Sequence, residues 1–424
     1  MKSLIDKFFF RQNNLDLVSN KIKDIPKKTP VSQLFNIINS YSSTSELRYV
    51  GGCVRKVISN ENFDDIDLAT NIAPTEVCSL LKKNNVEFYE SGIDHGTITA
   101  IVEDSKFEIT SLREDILTDG RHAKVKFSKD WITDASRRDF TINSIYSDKE
   151  GNLFDPYNGY KDIKNGKINF IGNPEKRIKE DYLRILRYLR FFLNYSKQPH
   201  DPEIIKVLKK NLIGISNLSK ERLIDELRKF LQPHVLESLS KDEIILEILV
   251  SIFPQLKYFN IFSKLNSNLK DILSKFDFIF IVSLLTIDET DNVDYFIYKF
   301  NLSKKDQKRI RNISDFYKKK ITSKTFTEKN LNLIFYYLGK ETVLDILNYR
   351  ILKTNKLDDT ILALISKFKI KSIPTMPFKA DFLMSKYDIP EGKMLGEKLK
   401  LIEDKWIENN FQISDKQIEN IINN

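Results

Sequence analysis

Nine of the 13 glycines, at 51, 52, 92, 96, 120, 151, 159, 166 and 172, lie in the first 172 residues, leaving four, at 214, 339, 392 and 396, for the remaining 252. Glycine permits positive φ and close backbone approach, so a chain built this way places its tight turns early and has few means to make them late. Short β-type runs at 47–50, 65–70, 86–90, 97–103 and 106–111 are separated by Gly, Asn and Asp clusters or by a helical stretch at 75–84, which predicts a mixed sheet flanked by helices. From about Ile178 the apolar positions recur at three and four, as in Leu218, Ile224, Leu227, Phe230 and Leu231, with lysine-rich faces between them. The class predicted is α+β, a sheet-containing part followed by stacked helices.

A length of 424 residues exceeds what one core usually serves and implies two to four packed units. With 41% hydrophobic residues, wholesale disorder is excluded. Cys53 and Cys78, with His95, His122, His200 and His234, fall at no CxxC or HxxxH spacing, so a structural zinc site or disulfide framework is excluded and a reducing, cytoplasmic setting is expected. The longest apolar run, 278–287, is about half a bilayer span, so no membrane association is expected. A formal charge of +9 favours a polyanionic partner only slightly. Joints are expected at 155–159, 198–202, 233–234 and 372–377.

The sharpest local feature is Tyr49-Val50-Gly51-Gly52-Cys53-Val54-Arg55, followed ten residues later by Asp65-Ile66-Asp67-Leu68-Ala69-Thr70. A glycine pair after a strand lets backbone approach a phosphate, and Arg55, about one turn on, adds a cation. On a strand, Asp65 and Asp67 would share one face above the apolar layer of Ile66 and Leu68. Two carboxylates so placed repel, and one or two Mg²⁺ ions bridging them to a triphosphate would stabilise both in the ionised form. Either motif alone also arises in an ordinary acidic loop or turn; together, in ordered spacing, they point to a metal–nucleotide site. Glu108, between Phe107 and Ile109, could bring a third carboxylate from a neighbouring strand or be a solvated strand-face residue.

Arginine supplies only 16 of 68 basic residues, and eight of the 16 fall between 113 and 190. Its planar fork suits bidentate contacts that lysine cannot make. Arg137-Arg138-Asp139 precedes a run at 142–145 read as helical, so that an arginine near a helix start would face the triphosphate with Asp139 holding it. Asn173-Pro174 opens a helix predicted to run on through Phe191. Along it Asp181, Arg184, Arg187 and Arg190 form a polar stripe opposite Leu183, Ile185, Leu186, Leu189 and Phe192. An acceptor at Asp181 beside a donor fork at Arg184 matches the amino group and ring nitrogen that cytosine and adenine both present, and opposes guanine and uracil, which reverse that order.

The order Gly51-Gly52-x-x-Arg55, Asp65-x-Asp67, Arg137-Arg138-Asp139, Glu180-Asp181-x-x-Arg184 and Ser219-x-Glu221-Arg222-x-x-x-Glu226 resembles the class II tRNA nucleotidyltransferase/poly(A) polymerase family, most closely its bacterial CCA-adding members, over about 45–230. The stretch 119–123 resembles their flexible loop. The resemblance implies that Asp65 and Asp67 ligate Mg²⁺ and that Gly52, Arg55, Arg138, Asp181, Arg184, Arg187 and Arg190 contact the nucleotide. It also implies an N-terminal helical arm (1–30), a polymerase β-like nucleotidyltransferase head (31–160), a helical neck recognising the base (161–232), a helical body (233–330) and a tail (331–424) gripping the acceptor–TΨC half of tRNA. The activity implied is template-independent addition of C, C and A to the tRNA 3′ end from CTP and ATP. Poly(A) synthesis, partial CC or A addition, and an inert RNA-binding scaffold are the alternatives.

Overall fold

The computed structural model describes residues 2–63, 65–118, 123–319, 321–322 and 325–423. The chain divides into two compact units, Met1–Glu226 and Leu227–Asn424.

The first unit contains every strand found among the described residues: β1 (Leu47–Val50), β2 (Asp67–Thr70), β3 (Glu87–Gly92), β4 (Thr97–Val102), β5 (Ser105–Ser111), β6 (Arg113–Thr118), β7 (Ala123–Phe127), β8 (Tyr146–Ser147) and β9 (Leu153–Phe154). Seven of them make one sheet in the order β3-β4-β5-β2-β1-β8-β9, and β6 pairs with β7 apart from it. The main sheet is mixed, as expected: β2 and β5 run parallel, and the other pairs are antiparallel. In β4 the alternation of buried Ile98, Ala100 and Val102 with half-buried Thr97, Thr99 and Ile101 is what a sheet with one covered face requires.

The helices of this unit are α1 (Lys2–Lys28), α2 (Ser32–Asn39), α3 (Gly52–Ser59), α4 (Pro74–Lys83), α5 (Trp131–Ser136), α6 (Gly159–Asn165), α7 (Pro174–Glu180), α8 (Leu183–Tyr195) and α9 (Pro202–Lys210), followed by α10 (Lys220–Phe230). Leu34, Phe35 and Ile38 of α2 are fully buried, and Phe35 meets Tyr49 of β1 at 4.9 Å between ring centres. The inner strand that leads into the glycine turn is thus held by apolar packing from behind.

Three local expectations are corrected. Strand β2 begins at Asp67, so Asp65 lies ahead of it and is exposed, although Ile66 and Leu68 are buried as alternation demands. The helix opened by Asn173, whose side chain accepts from the Lys176 N–H at 3.0 Å, stops at Glu180. Asp181 turns extended there (φ −154°, ψ 104°), and its carboxylate accepts from the Leu183 N–H at 3.1 Å, capping a second helix. The run at 142–145 holds only one 3₁₀ turn, Thr141–Asn143, before the chain enters β8. The hairpin β6–β7 is an addition to the expected elements: β7 alternates apolar and charged residues, but the Arg-Glu-Asp run that opens β6 and a register shift between Asp115 and Leu117 break the pattern in its partner. The flexible-loop stretch expected at 119–123 lies, for residues 119–122, outside the described residues.

The second unit is helical throughout its described residues. Its most apolar helix, Phe278–Thr286, is buried on every side, and no helix among the described residues is long and apolar enough to cross a membrane. A separate cluster of Leu383, Ile389, Leu395, Ile402 and Ile418 binds together the helices Ala380–Tyr387, Lys393–Glu408 and Asp415–Asn423.

Candidate active site

At the end of β1 the backbone reverses through Gly51, whose φ of +65° and ψ of −116° an L side chain rarely adopts. Its N–H donates to the Ile145 carbonyl at 3.3 Å, and its carbonyl accepts the first backbone bond of α3, from Arg55 at 3.0 Å. No side chain caps α3, so its opening N–H groups, at the positive end of its dipole, are left without a side-chain acceptor. A Cβ on Gly52 would sit 3.6 Å from Asp67 Oδ2, so the glycine leaves that flank of the carboxylate open.

Asp67 and Glu108 are partners in the parallel register of β2 and β5 and therefore share a face of the sheet. The Asp67 carboxyl is raised above its ordinary value by burial first, with Arg138 opposing and Asp65 adding to the rise. Glu108 is raised by burial, then by Asp67 and Asp65. Crowded carboxyls beside a helix start form an all-oxygen donor set, which suits a hard divalent cation. No group of three or more His, Cys, Asp or Glu side chains converges as a metal cage among the described residues. Cys53 is buried beneath, and burial followed by the Asp67 charge pushes its thiol up to about 12, which makes it an inert packing residue.

Arg55 and Arg138 meet at Asn143. Arg55 Nη1 donates to the Asn143 Oδ1, and Arg138 Nη1 to its backbone carbonyl at 3.5 Å. Arg138 is held by Asp134, not by the adjacent Asp139 as expected. Its Nε and Nη2 reach Asp134 Oδ2 at 3.2 and 3.0 Å, and its Nε reaches the Tyr146 hydroxyl at 3.0 Å. Tyr146 itself donates to the same oxygen at 2.6 Å, and Arg137 takes the other at 2.8 Å. Burial opposes ionisation of Asp134, but Arg138 and Arg137 outweigh it and hold the carboxyl well below the usual range.

Asp139 instead receives Arg187 from α8, whose Nε and Nη2 both lie 2.6 Å from Oδ2, while Oδ1 accepts from the Phe140 N–H and the Asn143 amide. Arg190 donates to the buried Glu226 at 2.5 Å. Arg184 Nη1 reaches Glu180 at 2.7 Å and the Arg177 carbonyl at 2.6 Å, and Asp181 Oδ2 accepts from Arg222 at 2.7 Å. The structure therefore gathers Gly52, Arg55, Asp67, Glu108 and Arg138 round the glycine turn. Asp181 and Arg184 are joined only through their backbone, at 3.1 Å, and each side chain carries another ionic partner. Asn143, Asp134 and Tyr146, which orient the arginines, were missed. Only the i, i+4 spacing of Asp134 and Arg138 hinted at them in sequence.

The family model of the poly(A) polymerase head domain matches residues 47–169, and that of tRNA nucleotidyltransferase domain 2 matches 277–422. The mitochondrial CCA tRNA nucleotidyltransferase 1 of Homo sapiens is 46% identical over 189 residues, which is 44% of this chain and 44% of that relative's own length. The CCA-adding enzyme of Staphylococcus saprophyticus is 27% identical over 367 residues, 84% of this chain and 88% of its own. Among solved structures, the Bacillus stearothermophilus CCA-adding enzyme in complex with CTP superimposes with a TM-score of 0.69 at 20% identity, covering 93% of this chain and 97% of that one. The Thermotoga maritima CCA-adding enzyme complexed with tRNA gives 0.62 at 18% identity, covering 95% and 98%. These two likenesses carry the fold. The head-domain model and the later tRNA nucleotidyltransferase domain model thus match in order along one chain, and a CCA-adding enzyme aligns across most of it.

Proposed function

We propose that this protein adds C, C and A in turn to the 3′ end of tRNA, without a template, using CTP and ATP and releasing pyrophosphate. The observation that carries the reading is the placing of Asp67, with Asp65 just before it, beside the uncapped start of α3 and within the reach of Arg138's field. Asp65 and Asp67 are the residues that would hold Mg²⁺. A carboxylate pair, rather than a full protein cage, is what Mg²⁺ uses where substrate phosphates and water complete its shell. Bound there, Mg²⁺ supplies Lewis-acid polarisation of the α-phosphate and acidification of the attacking hydroxyl.

The chain's own residues do the rest by positioning and charge. The N–H groups that open α3 at Gly52, with Arg55 and Arg138, hold the triphosphate in line as the O3′–Pα bond forms and the bond to the β-phosphate breaks. Arg187 and Arg190 add positive potential from α8. Asp181 and Arg184 read the base by exchange: the amino group of cytosine or adenine replaces Arg222 at Asp181, and the ring nitrogen takes a share of the Arg184 fork from Glu180. Guanine and uracil would set oxygen against the carboxylate and would not displace Arg222. The finer partition into arm, head, neck, body and tail, the tail's grip on tRNA and a cytoplasmic location belong to the same reading.

Incubation of a tRNA lacking its 3′-terminal CCA with CTP, with ATP, and with both, followed by sizing at single-nucleotide resolution, tests it. Two additions with CTP alone and three with both are expected. Unlimited A addition without CTP would make the protein a poly(A) polymerase, arrest at two would make it a CC-adding enzyme, and no extension with intact tRNA binding would make it a scaffold. The 28 residues between Thr110 and Asp139 favour the complete activity over a short-looped CC-adding enzyme.

A further inference from the structure

Phe191 of α8 is 2% exposed, and three guanidinium groups lie over its ring: Arg190 at 4.3 Å, Arg55 at 4.7 Å and Arg187 at 5.5 Å from the ring centre. The three differ in what else holds them. Arg187 is tied to Asp139 and Arg190 to Glu226, so each of those charges is already matched by a buried carboxylate. Arg55 has no carboxylate within salt-bridge distance among the described residues. Its Nη1 donates to a neutral amide, Asn143, and its buried Nε has no hydrogen-bond partner. The Tyr195 hydroxyl, itself neutral, also hydrogen-bonds it, and the faces of Phe191 and of Tyr195, 5.2 Å away, complete its surroundings. A ring face attracts a cation without carrying a formal negative charge, so a guanidinium held this way keeps its net charge for an anion. Phe191 is itself held edge-on against Phe140, ring centres 5.5 Å apart at 74°, and so cannot follow the arginine if it moves.

We propose that Phe191 is a positioning residue that orients Arg55 for the substrate triphosphate while leaving its charge uncompensated, a role that rests on the reading of the site given above. The test replaces Phe191 in the full chain with mono-, di- and trifluorophenylalanine, which weaken the ring's attraction for cations in steps at nearly constant shape. The KM for CTP is expected to climb with each fluorine to about tenfold, with kcat held within about twofold. Phe191→Tyr, which keeps the ring face, should stay near the parent value. In an Arg55→Ala background the dependence on fluorine should vanish. A KM that stays flat across the series, whatever the melting temperature does, overturns the proposal, as does a slope that survives Arg55→Ala. Full activity in an Asp65→Asn, Asp67→Asn double variant would overturn the site reading instead, so the two failures are distinguishable.

Discussion

The two units use their positive charge differently. Twelve of the 16 arginines precede Leu227, and those round the site are fixed by buried acceptors: Asp134 serves Arg137 and Arg138, Asp139 serves Arg187, and Glu226 serves Arg190. The second unit has four arginines, of which Arg309 bridges Asp277 and Asp345 and Arg311 meets Asp294, and otherwise relies on lysine. Several of its lysine pairs sit at the surface, as Lys393 with Glu397 does, the lysine 92% exposed. A rigid, always-ionised fork is used where a charge must point one way, and a flexible point charge where only the total matters. On this comparison the first unit should be sensitive to single charge removals and the second should not.

The largest break should come at the carboxylates. Asp65→Asn with Asp67→Asn keeps size and hydrogen-bonding capacity but removes two charges. Extension of a trimmed tRNA should fall by about 10³-fold or more, equivalent to about 4 kcal/mol of barrier. Tm and tRNA affinity, measured on the same preparation, should hardly change, since Asp65 is exposed and both carboxyls already repel.

Next in size is Asp134→Asn. With 1% of the residue exposed and two guanidinium groups plus Tyr146 on its oxygens, loss of its charge leaves buried cations unmatched. The first unit should lose about 3 kcal/mol in chemical denaturation. The matched change in the second unit, Glu328→Gln, removes a carboxylate that serves Lys367 and Lys371 with side chains partly in water, and should cost about 1 kcal/mol or less. Equal losses would dissolve the contrast.

Acid should sharpen it. Burial tends to raise Asp139, but Arg187, then the Asn143 amide and the Phe140 N–H, bring it down to about 2 from an ordinary 3.8. A carboxyl lowered by folding contributes fully above about pH 4 and loses its contribution as pH falls through about 2. The stability gap between the parent and Asp139→Asn should therefore shrink by about 2 kcal/mol across that window and stay constant from pH 5 to 7. A gap that does not change between pH 4 and 2 would mean the Arg187 pair is not formed in solution.

Where the sequence was legible, local rules and tertiary demands agreed. Glycine turns, alternating strands and the Asn173-Pro174 helix start each follow from backbone chemistry within a few residues, and the order of carboxylate, glycine and arginine motifs needs no contact map. What was not legible depended on partners distant in the chain. That Asp134, not Asp139, holds Arg138 depends on Tyr146 arriving from β8 to share the carboxylate, and the break at Asp181 depends on its side chain capping α8 and meeting Arg222, 41 residues on. Helical periodicity carries through such a break unaltered, because the apolar residues on both sides still face one core.

The smallest expected effect tests the lysine side of the comparison. Helix Lys304–Tyr317 opens with Lys304, Lys305 and Lys308, all exposed and none paired with a carboxylate among the described residues. Cations at a helix start oppose the macrodipole, so these three work slightly against the helix, which is instead capped by Ser303 on the Asp306 N–H at 3.2 Å. A charge that does nothing for its own helix is available to a polyanion. Replacing all three with glutamine should leave Tm the same or up to about 1 °C higher and leave the KM for CTP unchanged. It should weaken tRNA binding by about tenfold at low salt and flatten the slope of log K against log salt by roughly two. Because the lost term is counterion release and not a shaped contact, Arg at the same positions should restore binding as well as Lys does. If Arg failed to restore it, or if the slope stayed the same, this face would not meet the phosphate backbone, and the second unit's positive charge would have to act elsewhere.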